Sequence, residues 1–223
     1  MKILSWDVGI YNLSYCILEK KDDSIKIIEW DIINLVDNDE MKKNRGLIFE
    51  NIPRKLHENP KLLDVDIVVI ENQPSLNNPQ MKSIQMILYS YFLILGKIIG
   101  NGENVNYIDK IVFCSASNKL KVYNGPAIIL EEKISKRKKK VIEVIDVSSD
   151  SITVEEATPI IKNKKKNTLN YADKKRLAIE HAKYFITKYD EKYIDFFNLH
   201  KKKDDLADSF LQGLYFMEQN LVK

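Results

Sequence analysis

Short apolar runs that end at acidic or turn-forming residues fill much of the first half of the chain and predict a sheet. The runs Lys2 to Asp7, Leu13 to Leu18 and Ile25 to Ile33 are separated by turn residues, which is typical of a three-stranded antiparallel meander. Asp66 to Glu71 has an apolar interior, as expected of a parallel strand covered on both faces. Tyr107 to Cys114 adds a fifth strand, so the pattern predicts one mixed sheet.

Helical periodicity follows in longer segments. The predicted helices are Lys43–His57, Gln80–Ile99, Thr168–Tyr189 and Asp204–Leu221. Pro53 is expected to disrupt the first helix, whereas Pro79 suits the first turn of the second. Together with the strands, these helices predict an α/β fold with a mixed five-stranded sheet flanked by helices.

Residues 121–167 interrupt this pattern. They contain Gly125, Pro126 and two lysine clusters. The apolar stretches Val141–Val147 and Ser151–Val154 predict a two-stranded ribbon inserted between core elements. We therefore expect a single domain over residues 1–223 with a basic β-ribbon insertion at about 121–167.

Charge is distributed unevenly along the chain. The net charge of +3 is the sum of three unequal segments: 13 basic and 16 acidic residues in 1–117, 21 and 12 in 118–203, and 1 and 4 in 204–223. Lysine runs are usually solvated faces, but several of them within one third of a chain favour a polyanionic partner.

Composition indicates a globular protein with no membrane-spanning segment. The longest apolar run, Met86 to Leu95, is interrupted by Ser90 and is shorter than the roughly 18 residues that a membrane helix needs. Cys16 and Cys114 fit buried free thiols in a reducing compartment. With no secretion or transit signal in the sequence, we expect a cytoplasmic location, which for a viral protein includes a replication site in the host cytoplasm.

Four acidic residues occupy positions from which their side chains can converge. Asp7 and Glu71 each stand at the carboxyl end of an apolar strand. Asp205 and Asp208 are three residues apart near the start of the last helix, so they share one face. Taken singly, each acid has a simpler explanation as a turn residue, a strand cap or a first-turn acid that favours the helix dipole.

Converging carboxylates are costly to bury without a cation. Mg²⁺ prefers oxygen ligands, commonly a few carboxylates together with substrate phosphate. Two such ions roughly 4 Å apart can activate water and stabilise the leaving oxygen in phosphodiester hydrolysis. The acids therefore predict a site for Mg²⁺, which Mn²⁺ can replace.

Four sequence blocks resemble the poxvirus-type Holliday junction resolvases, within the RuvC and mitochondrial resolvase superfamily. The blocks are SWDVGIYNLSYCIL at 5–18, VVIENQP at 68–74, NYADKKRLAIEHA at 170–182 and KKDDLADSF at 202–210. They span most of the chain in the family's order. The first block is shared with many RNase H-like and actin-like proteins, whereas the second and fourth are more specific.

The resemblance implies an RNase H-like fold and a Mg²⁺-dependent endodeoxyribonuclease with two ions in its site. It implies a homodimer that resolves four-way junctions by paired symmetric nicks. The catalytic and metal-binding acids of the family correspond to Asp7, Glu71, Asp205 and Asp208, and the role of Asp204 stays open.

The resemblance also implies that several residues lie near the DNA, namely Gln73, Tyr171, Lys174 and Lys175. Gln73 equally suits an amide that caps a loop, and the two lysines equally suit a solvated helix face. Residues 121–167 form a longer stretch than the family pattern requires, which leaves DNA contact there open.

Three other functions fit parts of the sequence. A related nuclease acting on flaps, forks or RNA–DNA hybrids would share the acids and differ only in substrate. An actin-like ATPase needs a second Asp-Gly phosphate loop, and the chain contains no Asp-Gly dipeptide. A catalytically silent DNA-binding protein would gain by losing the acids, because they repel DNA.

Symmetry favours a homodimer as the working unit. A four-way junction has two-fold symmetry and one chain supplies one set of acids, so a two-fold dimer presents two sites in matching orientation. The Gln80–Ile99 helix is apolar in several directions, which favours burial on more than one side, although one chain alone can provide that cover. Its apolar residues include Met81, Met86, Ile87, Tyr89, Tyr91, Phe92 and Ile94.

Overall fold

A computed structural model of the protein shows a five-stranded sheet with helices on both faces. The structure describes residues 1–22, 24–76, 78–100, 107–131, 141–143 and 170–219. The strands of the sheet are β1 Lys2–Val8, β2 Asn12–Lys21, β3 Ser24–Asn34, β4 Ile67–Glu71 and β5 Lys110–Cys114. The helices are α1 Asp39–Lys43, α2 Arg45–His57, α3 Pro79–Tyr91, α4 Tyr171–Tyr189, α5 Ile194–Leu199 and α6 Lys203–Gln219. Shorter elements are a π-helical continuation of α3 over Phe92–Ile99 and 3₁₀ segments at Pro60–Leu63, Ala116–Val122 and Glu191–Tyr193.

The strand order of the sheet is β3-β2-β1-β4-β5. The first three strands form the predicted antiparallel meander, and β4 and β5 run parallel to β1. This topology confirms the predicted α/β fold with a mixed five-stranded sheet.

Part of the insertion is seen as a separate two-stranded ribbon. Its strands are β6 Ile129–Glu131 and β7 Val141–Glu143, which pair antiparallel. The ribbon thus begins earlier in the sequence than predicted, and the predicted strand at 151–154 lies outside the described residues.

Alternation along the strands sends neighbouring side chains into two different cores. In β1, Ile3 packs in the core formed with α4, α5 and α6, whereas Leu4 and Trp6 pack in the core formed with α2 and α3. The same alternation in β4 sends Val69 toward α6 and Val68 toward the other side. Asp7 and Glu71 continue the series that faces α6.

Helix α6 lies unusually close to the sheet. A Cβ atom at Gly213 would lie 3.1 Å from Ser5 Cβ and 3.0 Å from a methyl carbon of Leu18. The buried Gln212 amide donates to Ser5 Oγ at 3.1 Å and to the Trp6 carbonyl at 3.0 Å. These contacts fix the position of α6 across β1 and therefore the position of the acids at its start.

Pro53 lies inside α2 without ending it, which contradicts the predicted disruption. The Asn44 side chain caps the first turn by accepting from the Gly46 N–H, and Ile52 and Leu56 on either side of the proline are buried. Proline removes one helical hydrogen bond, and burial of this apolar face outweighs that loss.

Helix α3 and its π-helical continuation form a helical run of 21 residues, Pro79–Ile99. Within the part of the chain that the structure describes, this run alone is long and apolar enough to cross a membrane, judged by length and composition only. A third of it is buried in the protein, and helices from the core of soluble proteins pass the same test. The run is longer than the Met86–Leu95 stretch that the sequence pattern singled out, and it is weak evidence for a membrane.

Candidate active site

The carboxyl ends of β1, β4 and β5 lie side by side at one edge of the sheet. The parallel register of β1 with β4 places Asp7 beside Glu71, and Glu71 pairs with Cys114 of β5. A Cβ atom at Gly9 would lie 2.5 Å from the Asn12 carbonyl oxygen, so the turn that follows Asp7 requires glycine. The sequence motif around Asp7 thus serves to turn the chain directly beyond the acid.

A buried lysine lies at the centre of the acidic residues. Lys119 is 5% exposed, and its Nζ donates to Asp7 Oδ1 at 2.7 Å. The same Nζ lies 3.1 Å from Asp208 Oδ2 and 3.3 Å from Glu71 Oε1. Three of the four predicted acids therefore converge on one ammonium group.

Lys119 reaches this position because it follows the third parallel strand. The Ala116–Val122 segment begins directly after β5, and its first turn is capped by Ser115, whose Oγ accepts from the Ser117 N–H. Sequence analysis missed Lys119. The available signal was its place just beyond the predicted strand that ends at Cys114, since the ends of parallel strands meet at one sheet edge.

Asp205 stands beside the cluster without contacting Lys119. Its carboxylate pairs with Lys202 at 3.7 Å. Burial raises the pKa of Asp205, and the negative charges of Asp204 and Asp7 raise it further. Asp205 is therefore close enough to Asp7 to interact electrostatically, and it borders the three converged acids.

Asp204 has a different partner. Its Oδ2 forms an ion pair with the Nζ of Lys175, near the start of α4. Burial opposes the ionised form of Asp204, but the Lys175 hydrogen bond and charge hold its pKa below the usual value. Asp204 thus ties α6 to α4.

Burial and mutual repulsion perturb the converged acids. Burial, followed by the charge of Asp7, raises the pKa of Glu71 to about 8. Burial also raises the pKa of Asp208 to about 6, although Lys119 opposes the shift. For Lys119, burial is outweighed by Asp7, Asp208 and Glu71, which raise its pKa well above the usual value. The site therefore favours a cation at its centre.

The residues predicted to contact DNA lie in three environments. Tyr171 is 75% exposed and Lys174 is exposed, both at the start of α4. Lys175 is held by Asp204, and its Nζ lies 5.2 Å from the centre of the Tyr171 ring. Gln73 is buried, and its backbone N–H donates to Gln85 Oε1 at 2.8 Å, which fits the loop-holding alternative; its contact with DNA stays a prediction.

The acids fit a hard divalent cation in their chemistry. Within the described ranges, no three acidic, histidine or cysteine side chains already surround a single metal position. The Lys119 ammonium stands among Asp7, Glu71 and Asp208 as a cation that the chain itself provides. Carboxylate oxygens gathered around a positive charge are the ligand type that Mg²⁺ takes, so the side chains present suit such an ion.

Sequence comparison relates the chain to viral proteins. Residues 1–99 match the family model described as poxvirus A22 protein. The predicted resemblance to a poxvirus family is thus confirmed for the blocks at 5–18 and 68–74, which lie within the match. An uncharacterized protein of Acanthamoeba polyphaga mimivirus is 36% identical over 166 residues, which are 74% of this chain and 32% of that protein. The chain therefore spans about a third of the length of this relative.

Structure comparison relates the fold to junction resolvases. The fowlpox virus resolvase in complex with Holliday junction DNA is 20% identical, with a TM-score of 0.55 over 99% of both chains. The yeast mitochondrial Holliday junction resolvase is 16% identical, with a TM-score of 0.56 over 98% of this chain and 80% of that one. RuvC of T. thermophilus in complex with a Holliday junction is 10% identical, with a TM-score of 0.50 over 100% of this chain and 96% of that one. These likenesses confirm the predicted RNase H-like fold.

Proposed function

We propose that the protein is a divalent-metal-dependent endodeoxyribonuclease that resolves four-way DNA junctions by paired symmetric nicks. The observation behind this proposal is the convergence of Asp7, Glu71 and Asp208 at the carboxyl edge of the sheet, with Asp205 beside them. The same fold is found in resolvases that have been seen with junction DNA.

Mg²⁺ is the cofactor in this proposal, with two ions in the site and Mn²⁺ as a substitute. When bound, such ions supply activation of water and stabilisation of charge on the leaving oxygen of a phosphodiester. Asp7, Glu71, Asp205 and Asp208 would hold them. The three converged acids stand on β1, β4 and α6, which are core elements, and this placement would hold the ligands ready before DNA arrives.

The chain's own residues have two tasks in this reaction. The acids must be kept close together despite their repulsion, and Lys119 does so by forming ion pairs with three of them. The backbone of the DNA must be held beside them. Exposed Lys174 and Tyr171 stand near the start of α4, which the Lys175–Asp204 ion pair joins to the start of α6.

A homodimer is part of the proposal, because two nicks on opposed strands need two sites. Helix α3 and its π-helical continuation leave an apolar strip uncovered in the chain, in which Met86 is 41% exposed, Ile94 47% and Ile98 66%. A groove of about 910 Å³ lies next to this strip, between α2 and α3, and Glu50 and Arg54 contribute opposite charges to its lining. In a two-fold interface each of these charges can face its opposite on the second copy.

Two of the apolar residues predicted for this contact are unavailable to a partner. Tyr91 is 8% exposed and Phe92 is fully buried, because both face the chain's own core. Tyr89 packs against Phe113, with ring centres 5.4 Å apart. The contact surface must therefore be built from Met86, Ile94 and their neighbours.

Incubation with a four-way junction, a replication fork and a linear duplex tests the proposal. Each substrate is supplied with Mg²⁺ or with EDTA, and the products are resolved on a sequencing gel. Symmetric paired nicks in the junction with Mg²⁺ alone are expected. Preferential cutting of the fork would favour a related nuclease for flaps or forks. Equal cutting with EDTA would rule out the metal-dependent mechanism.

A further inference from the structure

The acidic site contains a cation that belongs to the chain. We propose that the Lys119 ammonium is the resident counter-ion of the metal-free site, and that a divalent ion binds by displacing it. Lys119 then determines how tightly the site takes metal. This inference rests on the metal site of the proposed function and concerns its affinity for the ion, not the chemistry of strand cleavage.

The first argument is geometric. The Lys119 Nζ uses oxygens from Asp7, Glu71 and Asp208, all within 3.3 Å. These are three of the four acids that would hold a metal ion. The ammonium donates a hydrogen bond to Asp7 and is within ion-pair distance of Glu71 and Asp208. A metal ion that needs the same oxygens therefore competes with the ammonium for them.

The second argument concerns charge. Four carboxylates from Asp7, Glu71, Asp205 and Asp208 are close enough to influence one another, and Lys119 is the basic residue at their centre. Lys119 is 5% exposed, so little water reaches it to screen the repulsion. Removal of one partner from a buried ion pair leaves the others uncompensated. The lysine thus allows the acids to be assembled without a metal.

The third argument is that solvent lies within reach of the Lys119 ammonium. Lys119 lies on the short Ala116–Val122 segment, whose neighbouring residues Ser115, Ala116 and Ser117 are exposed. A lysine side chain has a flexible four-carbon stem. The ammonium can therefore turn toward solvent while the backbone of the segment stays in place.

The alternative to displacement is that Lys119 stays on the acids when metal binds and acts only through the electrostatic field of its positive charge. Lys175 provides the comparison, because its charge acts on Asp205 and Asp208 while its own bond goes to Asp204. Loss of Lys175 changes the field around the acids without vacating the three shared oxygens. Loss of Lys119 changes the field and also vacates the three shared oxygens.

Amine labelling of the unaltered protein tests the displacement directly. The full chain is treated with acetic anhydride in EDTA and at saturating Mg²⁺, without DNA, and labelling at Lys119 and Lys121 is quantified by mass spectrometry. Exposed Lys121 is the internal reference. We expect labelling of Lys119 to rise severalfold with Mg²⁺ while that of Lys121 stays level. Unchanged or stronger protection of Lys119 by Mg²⁺ would overturn the inference.

Metal affinity of variants gives an independent measurement. Mg²⁺ is titrated against the melting temperature of the protein and of Lys119→Met, Lys119→Arg and Lys175→Met. Without metal, Lys119→Met is expected to melt about 6–12 °C lower. It should bind Mg²⁺ about tenfold more tightly or better, because no ammonium competes. Lys119→Arg keeps the charge and should not gain in this way.

The control variant Lys175→Met distinguishes displacement of Lys119 from an effect of the local electrostatic field. Equal gains in Mg²⁺ affinity for Lys175→Met and Lys119→Met would assign the effect to the field and would overturn displacement. If Mg²⁺, Mn²⁺ and Ca²⁺ all leave the melting temperature of the unaltered protein unchanged, the metal site of the proposed function fails together with this inference. If Mg²⁺ binds and Lys119 stays protected from acetic anhydride, the displacement inference is wrong, whereas the metal site of the proposed function is retained.

Discussion

Lys175 of α4 and Asp204 of α6 form an ion pair that joins the N-terminal ends of the two helices beside the acidic site. Asp204 differs from its neighbours Asp205 and Asp208 in its surroundings, because the Asp204 carboxylate faces α4. Asp204 therefore ties α6 to α4, and the acids at the start of α6 have different partners.

Replacement of Asp204 by Asn should have a milder effect on cleavage than replacement of a converged acid. The reason is that Asp204→Asn removes the tie to Lys175 and leaves Asp7, Glu71, Asp208 and Lys119 in place. Single-turnover cleavage of a four-way junction measures the effect. A loss as large as that of Asp208→Asn would make Asp204 part of the metal-binding set.

Each of Asp7→Asn, Glu71→Gln, Asp205→Asn and Asp208→Asn should lower the cleavage rate by about 10²–10³-fold, as expected when a group that stabilises developing charge is removed. Junction binding should be retained, because every change keeps the shape of the side chain and reduces negative charge near DNA. Gel-shift titration alongside the cleavage assay separates the two effects. Near-normal cutting by the Asp7→Asn, Glu71→Gln double variant would exclude the mechanism.

The two adjacent lysines of α4 should differ in their contribution to DNA binding. Lys174 is exposed and has no ion pair within the described part of the chain, so Lys174→Ala should reduce the dependence of log affinity on log salt by about one. Lys175→Ala should reduce it less, because Asp204 already neutralises that charge. Binding of a junction at several salt concentrations tests both variants. Equal changes would mean that DNA takes Lys175 away from Asp204.

Stability of the metal-free protein should fall as pH rises from about 4.5 to about 8. The Glu71 carboxyl has an ordinary pKa of 4.5, which its buried environment raises to about 8, so in this range the folded protein binds a proton that the unfolded chain has released. Urea unfolding in EDTA at several pH values measures the trend. Glu71→Gln cannot ionise and should flatten it; parallel curves for the two proteins would contradict the prediction.

Charge placed on the apolar strip of α3 should weaken the dimer. Met86→Lys and Ile94→Lys each put an ammonium where the second copy is expected, and both positions are already exposed in one chain, so folding should be little affected. Sedimentation velocity at the concentrations used for cleavage measures the outcome. Exposed Leu199→Lys on α5 is the control. Dimers that survive both changes would move the interface elsewhere, and an unaltered protein that stays monomeric on the junction would exclude a dimer.

The positions of Asp7 and Glu71 followed from local sequence patterns. An apolar run that ends in an acid identifies both the strand and the end at which the acid stands, and parallel strands bring such ends together. The spacing of Asp205 and Asp208 placed them on one face of a helix in the same way. These are properties of single elements and need no knowledge of packing.

Lys119 and the Lys175–Asp204 pair depend on packing, so the sequence alone did not predict them. Lys119 stands just beyond a predicted strand, but its burial among the acids depends on the pairing of β4 with β5 and on the placement of α6. Lys175 and Asp204 are distant in the sequence and meet because α4 packs on α6. The tolerance of α2 for Pro53 has the same origin, since tertiary packing overrides local propensity.

The close approach of α6 to β1 also has a consequence for the tolerance of the chain to mutation. Even a Cβ atom at position 213 would make tight contacts with Leu18 and Ser5, and a large side chain there would push the helix that bears Asp208 away from the strand that bears Asp7. A saturation scan scored by activity should therefore find Gly213 nearly as intolerant as the acids. Residue 213 thus contributes to the site only through the distance that it allows between a helix and a strand, although it performs no chemistry itself.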